Sequence, residues 1–153
     1  MNAIKLEDLL VEILKSFLET SEKKITIKSN KDINKINISR TPEIIYGLRN
    51  FIGNAVKFSY EKVIVEIESN KENIIVTIQD DGPGFPEDVI GIIGEPYIKS
   101  RSRQVNIKSG LGLGTFLGKT LLERQGANLT FYNNNSGAVV KIVWSVNKIL
   151  FNA

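Results

Sequence analysis

The chain has 153 residues, of which 42% are hydrophobic, and its formal net charge is +3. This size and composition suit one domain with a core large enough to fold unaided, so we expect a single domain over residues 1–153. The sequence contains neither cysteine nor histidine, which excludes disulfides, thiolate catalysis, a histidine base and a phosphohistidine within this chain.

The basic residues form no tight cluster. The densest basic stretch, from Lys23 to Arg40, is interrupted by Asp32 and is rich in Asn and Ile. A nucleic-acid surface would need a denser group of Lys and Arg with aromatic residues between them. No apolar run reaches the ~20 residues of a membrane-spanning helix, and the N-terminus lacks a signal-peptide pattern. We therefore expect a cytoplasmic chain that contacts neither nucleic acid nor membrane.

The first predicted elements are a helix, two strands and a second helix. Apolar residues recur every three or four positions from Leu6 to Leu18, which is typical of an amphipathic helix. KITIKSN and INKINIS alternate or nearly alternate, as short strands do. In TPEIIYGLRNFIGNAVKFS, Thr41 can cap a helix and Pro42 takes its first position, so a helix is predicted there.

This second helix has two distinct faces at about 100° per residue. One stripe carries polar and aromatic side chains, namely Asn50, Asn54, Lys57 and Phe58. The opposite stripe is apolar, with Ile44, Leu48, Ile52 and Ala55. The helix therefore has one face for a core, and its other face is either a solvated surface or a binding surface.

The second half of the chain predicts two hairpins and a third helix. KVIVEIESN and NIIVTIQD flank a polar turn at 69–72, and NLTFYN and AVVKIVWSV flank a turn at 133–137. Residues 80–109 are rich in Gly, Pro and basic residues and show no sustained period. So long an irregular stretch counts against a compact domain unless it is a functional lid. GTFLGKTLLERQG resumes helical spacing and ends at Gly126. The pattern predicts an α+β domain whose mixed or antiparallel sheet is covered on one face by three helices.

DDGPGF directly follows a predicted strand. Asp80 stands at the end of this strand, with Gly82 and Gly84 after it. A carboxylate in this place can accept a hydrogen bond from an exocyclic amine, and the glycines let a flat ring approach the backbone. Taken alone, the segment also fits an ordinary Asp-Gly turn.

A second glycine-rich segment, SGLGLGTFLGK, precedes the third helix. Gly110, Gly112 and Gly114 leave free amides at a helix N-terminus, where phosphate oxygens bind favourably. The segment is not a P-loop, because no Gly-Lys-Ser/Thr follows at the required spacing. A glycine-rich loop alone is a weak signal.

The polar stripe of the second helix has the chemistry of a third wall of a binding site, next to the two glycine-rich segments. Asn54 offers a neutral oxygen to Mg²⁺, which keeps most of its waters and takes other ligands from substrate phosphates. Lys57 can pair with a phosphate as a point charge. Phe58 can stack on a base. The three segments together therefore have the chemistry of a nucleotide site.

The order and spacing of these segments resemble the GHKL ATPase/kinase superfamily, and more specifically the catalytic ATP-binding (HATPase) domain of bacterial sensor histidine kinases. The resemblance covers residues 4–146. It implies the Bergerat fold, a two-layer α/β sandwich with a flexible ATP lid over about residues 85–110. GEPY together with GLGLGTFLGKTLLERQGA is similar to the RegB/PrrB type of redox-responsive sensor kinase.

The resemblance also implies roles for the motif residues. NFIGNAVKFS looks like the N box, with Asn54 as the Mg²⁺ ligand, Asn50 lining the same site, Lys57 on phosphate and Phe58 beside adenine. DDGPGF looks like the G1 box, whose Asp80 would bind the adenine amino group while Gly82 and Gly84 shape the pocket.

The remaining boxes fall in the lid. GLGLG looks like the G2 box, which would hold the triphosphate and the lid hinge with Gly110, Gly112, Leu113 and Gly114. GEPYIKSRSR occupies the F-box region, where Tyr97 stands in place of the usual Phe and Lys99 in place of a frequent Arg. Lys99 and Arg101 are the alternative cations for the γ-phosphate.

The residue at position 50 discriminates between reactions. Members of the superfamily that activate water or a serine hydroxyl typically carry a Glu four residues before the metal-binding Asn, as a general base. Here that residue is Asn50, and a carboxamide cannot take a proton at neutral pH. The resemblance therefore implies an ATP-dependent protein histidine kinase, with Asn50, Asn54 and Lys57 as catalytic residues and positioning and charge neutralisation as the means of catalysis.

We expect this chain to be the C-terminal catalytic part of a longer inner-membrane sensor of a two-component system. Its partners would be ATP, Mg²⁺, a dimerisation domain that carries the phosphoacceptor histidine and, indirectly, a response regulator. The chain itself would be monomeric and the parent protein a homodimer. The alternatives are a stand-alone GHKL regulatory module, such as an anti-sigma-like serine kinase or a nucleotide sensor, and a degenerate pseudokinase.

Overall fold

The structure is a computed structural model that describes residues 3–29, 36–93 and 113–149. In chain order its elements are β1 (Ala3–Lys5), α1 (Leu6–Leu18), β2 (Lys24–Ser29), β3 (Asn37–Ser39), α2 (Pro42–Phe58), β4 (Lys62–Ser69), β5 (Asn73–Asp80), α3 (Glu87–Ile93), α4 (Leu113–Arg124), β6 (Ala127–Asn133), β7 (Ala138–Ser145) and α5 (Val146–Ile149). None of these helices is long and apolar enough to cross a membrane.

Five of the strands form one mixed sheet in the order β2-β4-β5-β7-β6. β2 runs parallel to β4, and the other neighbours are antiparallel. The predicted strand in INKINIS is only three residues long within the described part, and it pairs with β1 in a separate two-stranded sheet. β1 was not predicted, because three residues are too few to show a period.

The core lies between one face of the sheet and the helices α1, α2 and α4. The residues of β4, β5 and β7 that face it are apolar and buried: Val63, Val65, Ile67, Ile74, Val76, Ile78, Val140, Ile142 and Trp144. They pack with Leu9 of α1, Leu48 of α2 and Leu122 of α4 in one cluster. The alternate residues of these strands are mostly only half-buried, so the sheet is covered on one face, as predicted.

The start of α2 follows its sequence signals. The Thr41 hydroxyl oxygen accepts a hydrogen bond from the Ile44 N–H at 3.3 Å, and Pro42 begins the helix. At the other end, the Lys23 ammonium donates hydrogen bonds to the carbonyls of Val56 and Lys57. A cation there offsets the partial negative charge of the helix C-terminus. Both ends of the helix that carries the polar stripe are therefore held.

Close packing between α2 and α4 requires glycine on α2. A Cβ atom at Gly47 would lie 2.4 Å from Cγ of Leu122, so any side chain there would separate the two helices. The helices are in contact along the polar stripe as well, since a Cβ at Gly118 of α4 would lie 3.3 Å from Cβ of Asn50. The contact aligns the start of α4 with the C-terminal half of α2.

The structure corrects two sequence predictions. Part of the stretch predicted to be irregular forms α3, which buries Val89 and Ile93 against Phe116. Its seven residues complete barely two turns, so the helical period was too short to recognise. The last predicted strand ends at Ser145, and Val146 instead begins α5. The part of the predicted lid beyond residue 93 lies outside the described residues.

Candidate functional site

A cleft of about 170 Å³ opens between α2, the ends of β5 and β7, and the start of α4. Apolar residues form most of its walls, among them Phe51, Ala55, Phe58, Ile78, Phe85, Ile93, Ala138 and Val140. Asn54, Asp80 and Thr115 supply polar side chains to the same cleft. An apolar cleft with a few convergent polar groups is the usual form of a small-molecule site.

Asp80 is the carboxylate of this cleft, and only 6% of its surface is exposed. Its Oδ1 accepts hydrogen bonds from the N–H of Gly82 at 2.9 Å and of Ala138 at 3.2 Å. Burial raises the pKa of Asp80, and these two amides and the charge of Lys23 offset the rise only in part. The described residues give Oδ2 no hydrogen bond, so one carboxylate oxygen can accept a bond from a ligand.

Neighbouring backbone segments approach each other so closely around Asp80 that two positions there must be glycine. A Cβ at Gly82 would lie 2.2 Å from the carbonyl oxygen of Phe58, at the end of α2. A Cβ at Gly137, in the β6–β7 turn, would lie 2.4 Å from the carbonyl oxygen of Asp80. The sequence predicted a pocket role for Gly82 but not for Gly137, which read as an ordinary turn glycine.

Asn54 connects α2 to the helix that follows the glycine-rich segment. Its Nδ2 donates a hydrogen bond to Oγ1 of Thr115 at 2.9 Å and a longer one to Oδ1 of Asn50 at 3.4 Å. Thr115 is buried and was not predicted as a site residue, although its position directly after Gly114 was the available signal. The tertiary structure therefore brings the polar stripe of α2 to the first turn of α4.

The last two residues of the stripe differ in position. Phe58 lines the cleft, whereas Lys57 is exposed and is not among the residues that line it. The Lys57 ammonium lies 5.2 Å from the centre of the Phe58 ring. In the described arrangement Lys57 therefore stands at the outer side of Phe58 and not inside the cleft.

The structure describes only part of the predicted lid and phosphate segments. Gly84 lines the cleft with a φ of 86°, a backbone conformation that favours glycine. Leu113 and Gly114 belong to the start of α4. The other predicted residues, Tyr97, Lys99, Arg101, Gly110 and Gly112, lie outside the described residues, and their roles stay predictions.

Asp81, the residue after Asp80, holds the loop that follows α2, a role that the sequence did not predict. Its Oδ1 accepts hydrogen bonds from the N–H groups of Tyr60, Glu61 and Lys62 at 2.8, 3.0 and 3.2 Å. Burial alone raises the pKa of Asp81, but the bonds from these three amides outweigh it and lower the pKa below its ordinary value of 3.8. The carboxylate thus ties the loop after α2 to the end of β5.

We expect Asp81→Asn to destabilise the protein in a pH-dependent manner. A carboxyl whose pKa is lower in the folded chain stabilises the fold above its unfolded pKa of about 3.8, and the stabilisation is lost as the pH falls through the lowered value. The difference in unfolding free energy between wild type and variant should therefore be largest near neutral pH and shrink in acid. Urea unfolding at a series of pH values measures it, and a difference that does not change with pH would contradict the assignment.

The family model and two curated relatives match the part of the chain that contains the cleft. The family model for the histidine kinase-, DNA gyrase B- and HSP90-like ATPases matches residues 39–148, which include α2, Asp80 and α4. Sensor histidine kinase RegB of Cereibacter sphaeroides is 38% identical in an alignment of 130 positions that covers 74% of this chain and 28% of that protein. Sensor protein QseC of Escherichia coli K12 is 28% identical in an alignment of 144 positions that covers 92% of this chain and 31% of that protein.

The fold is also that of a known structure. The catalytic domain of histidine kinase ThkA, in a nucleotide-free form, superposes with a TM-score of 0.73 at 19% identity, over 94% of this chain and 96% of that chain. This likeness confirms the predicted α+β architecture, and the similarity to RegB confirms the predicted resemblance. The chain belongs to the family of histidine kinase-, DNA gyrase B- and HSP90-like ATPases.

Proposed function

We propose that this domain binds Mg-ATP in the cleft and transfers the γ-phosphate to a histidine on a separate dimerisation domain, as the catalytic domain of a two-component sensor kinase. The observation that carries the proposal is that Asp80, Asn54 and Thr115, from three segments far apart in the chain, line one cleft. They would contact the base, the metal and the phosphates respectively.

The base end of the cleft suits adenine. Phe58 and Phe85 provide apolar surface, and the free Oδ2 of Asp80 is an acceptor for the exocyclic amine. Because Asp80 is nearly buried, a hydrogen bond to its carboxylate is little weakened by competing water. A guanine would present a carbonyl oxygen where adenine has its amine, and the carboxylate would repel it.

The phosphate end of the cleft suits a magnesium ion that is held mainly by the phosphates of a bound nucleotide. The described residues contain no group of three or more acidic, histidine or cysteine side chains that could hold a metal. Asn54 lines the cleft, and its Nδ2 is used by Thr115, so its carbonyl oxygen is available to a hard cation. When bound, Mg²⁺ would neutralise phosphate charge there. Thr115 and the amides at the start of α4 would hold phosphate oxygens.

The cleft is poorly equipped to activate water. Among the described residues that line it, Asp80 is the one carboxylate, and its Oδ1 already accepts two backbone hydrogen bonds. Position 50 carries an amide, whose Oδ1 accepts from Asn54. A neutral imidazole needs no general base to attack phosphorus, whereas water or a serine hydroxyl does. This difference favours transfer to histidine over hydrolysis.

The chain contains no histidine, so the acceptor must be supplied by another domain. We propose a dimerisation domain of a homodimeric parent kinase as that partner, with a response regulator receiving the phosphoryl group afterwards. The parent would be an inner-membrane sensor with this domain on its cytoplasmic side. A lid over residues 85–110 would close on the nucleotide, with Lys99 or Arg101 reaching the γ-phosphate.

Two measurements test this proposal. A non-hydrolysable ATP analogue should bind the wild-type domain, and Mg²⁺ should increase the affinity. With ATP, the domain should phosphorylate a supplied dimerisation domain that carries a phosphoacceptor histidine. Binding without transfer to any such domain would instead favour a nucleotide-binding regulatory module, and absence of binding would overturn the proposal.

We expect Asn54→Asp to abolish the effect of Mg²⁺ on analogue binding and the transfer in trans. The substitution replaces Nδ2, a donor to Thr115 and Asn50, with an oxygen that faces Oδ1 of Asn50. The two oxygens repel, so the site loses its geometry at the metal-binding atom. Asn135→Ala, on the exposed β6–β7 turn, is the control and should behave as wild type. Unchanged transfer by Asn54→Asp would contradict the metal assignment.

A further inference from the structure

Asn133, the last residue of β6, holds the segment that follows Asp80 and Asp81. Its Oδ1 accepts a hydrogen bond from the Phe85 N–H at 2.7 Å, and its Nδ2 donates one to the Phe85 carbonyl at 3.0 Å. A carboxamide carries one acceptor and one donor side by side, as a peptide group does, so it can satisfy both backbone groups of one residue. The side chain thus makes the two backbone hydrogen bonds that a neighbouring strand would otherwise make to Phe85. We call this pair of hydrogen bonds between Asn133 and Phe85 the clamp.

The glycine before Phe85 is fitted to this clamp. Gly84 has a φ of 86°, and a Cβ there would lie 2.9 Å from both Cγ and Oδ1 of Asn133. The chain therefore passes directly over the carboxamide. Any side chain at position 84 would displace Asn133, so the clamp requires glycine there.

The clamp acts on the wall of the cleft. Gly84 and Phe85 both line it, and the Phe85 ring packs edge-on against Phe131 of β6, with ring centres 6.1 Å apart. At the other side of the same turn, the Ala138 N–H donates to the Asp80 carboxylate. The β6–β7 turn thus holds both the carboxylate and the wall next to it.

We propose that Asn133 is a positioning residue for the base of the bound nucleotide. It acts through Gly84 and Phe85 and does not itself line the cleft. The inference rests on the proposed function, because it takes the cleft occupant to be a purine nucleotide. None of the sequence motifs includes Asn133. Since the side chain is exposed, its loss should disturb the wall of the cleft far more than the core.

The test compares Asn133→Ala with Asn135→Ala, a neighbouring exposed carboxamide on the same turn. Calorimetric titration with a non-hydrolysable ATP analogue is done with and without Mg²⁺. Asn133→Ala should weaken binding roughly tenfold, a factor typical of one or two lost hydrogen bonds. The factor should be the same under both conditions, because the base does not contact the metal. Asn135→Ala should bind as wild type does, and thermal melts should be alike for all three proteins.

The outcomes separate this inference from the proposed function. If wild type binds the analogue and Asn133→Ala binds it equally tightly, the clamp has no positioning role. A loss that appears only with Mg²⁺ would also overturn it. If wild type binds no analogue, the proposed function fails. Amide hydrogen exchange of wild type then tests whether the clamp exists. Protection of the Phe85 N–H supports the clamp, and exchange at the rate of a free loop overturns it. If Asn133→Ala does not fold, the same exchange measurement on wild type takes the place of the comparison of variants.

Discussion

Asp80→Asn should lower the affinity for ATP roughly 100-fold while the domain stays folded. The two side chains have the same shape, and the asparagine Oδ1 can still accept from Gly82 and Ala138. Nδ2 then takes the place of Oδ2 and presents a donor to the amine of adenine. The site loses a hydrogen bond to a charged group, worth about 1.5–3 kcal/mol, and gains a repulsion between two donors.

The measurement is titration of wild type and variant with a non-hydrolysable ATP analogue. Asp88→Asn, at an exposed carboxylate of α3 that is not among the residues lining the cleft, is the matched control and should bind as wild type. Circular dichroism and a thermal melt verify the fold of each protein. Unchanged affinity in folded Asp80→Asn would count heavily against the assignment of Asp80 to adenine.

The pH dependence of wild type gives an independent check on the same group. Burial raises the pKa of Asp80 above its ordinary 3.8. Analogue affinity should therefore start to fall at a higher pH than for an exposed carboxylate, because the protonated group loses the acceptor. The sign for stability is opposite to that for Asp81: ionised Asp80 costs stability, and the cost disappears as the pH falls through the raised value.

Gly82→Ala is expected to have the largest effect on stability. The added Cβ would lie 2.2 Å from the carbonyl oxygen of Phe58 and 3.2 Å from Oδ1 of Asp80. The first of these neighbours is backbone at the end of α2 and cannot rotate away. Relief requires α2 and the end of β5 to separate, so we expect a loss of about 1–3 kcal/mol in unfolding free energy, as in overpacked cores. Nucleotide binding should be lost with it.

Gly91→Ala is the matched control for this substitution. Gly91 lies in α3 and is exposed, and within the described part of the chain an added Cβ there would meet no atom outside its own helix within 4 Å. Because alanine favours helix over glycine by about 1 kcal/mol, this variant should be as stable as wild type or more stable. Denaturant unfolding and analogue binding of both variants test the pair. Equal stability of Gly82→Ala and wild type would show that the close approach of α2 to Gly82 is wrong.

Local sequence signals predicted those parts of the fold whose cause is local. The cap at Thr41, the alternation of β4 and β5 and the glycine after α4 each depend on residues within one turn or one strand. The same kind of signal failed for α3 and β1, which are shorter than the period that would reveal them. It also could not show that β2 runs parallel to β4, since strand direction depends on a neighbour far along the chain.

The candidate site was likewise predictable only in part from the sequence. The sequence by itself determined which side chains have suitable chemistry: a carboxylate at a strand end in Asp80, a carboxamide on a helix face in Asn54, and glycines before a helix. Only the tertiary structure decided that Asp80 and Asn54 share one cleft and which residues hold them there. Asn133 lies 48 residues from Phe85, and Asp80 lies 58 residues from Ala138. Such contacts form only when the sheet brings its β5 and β7 strands together, so no local pattern could reveal them.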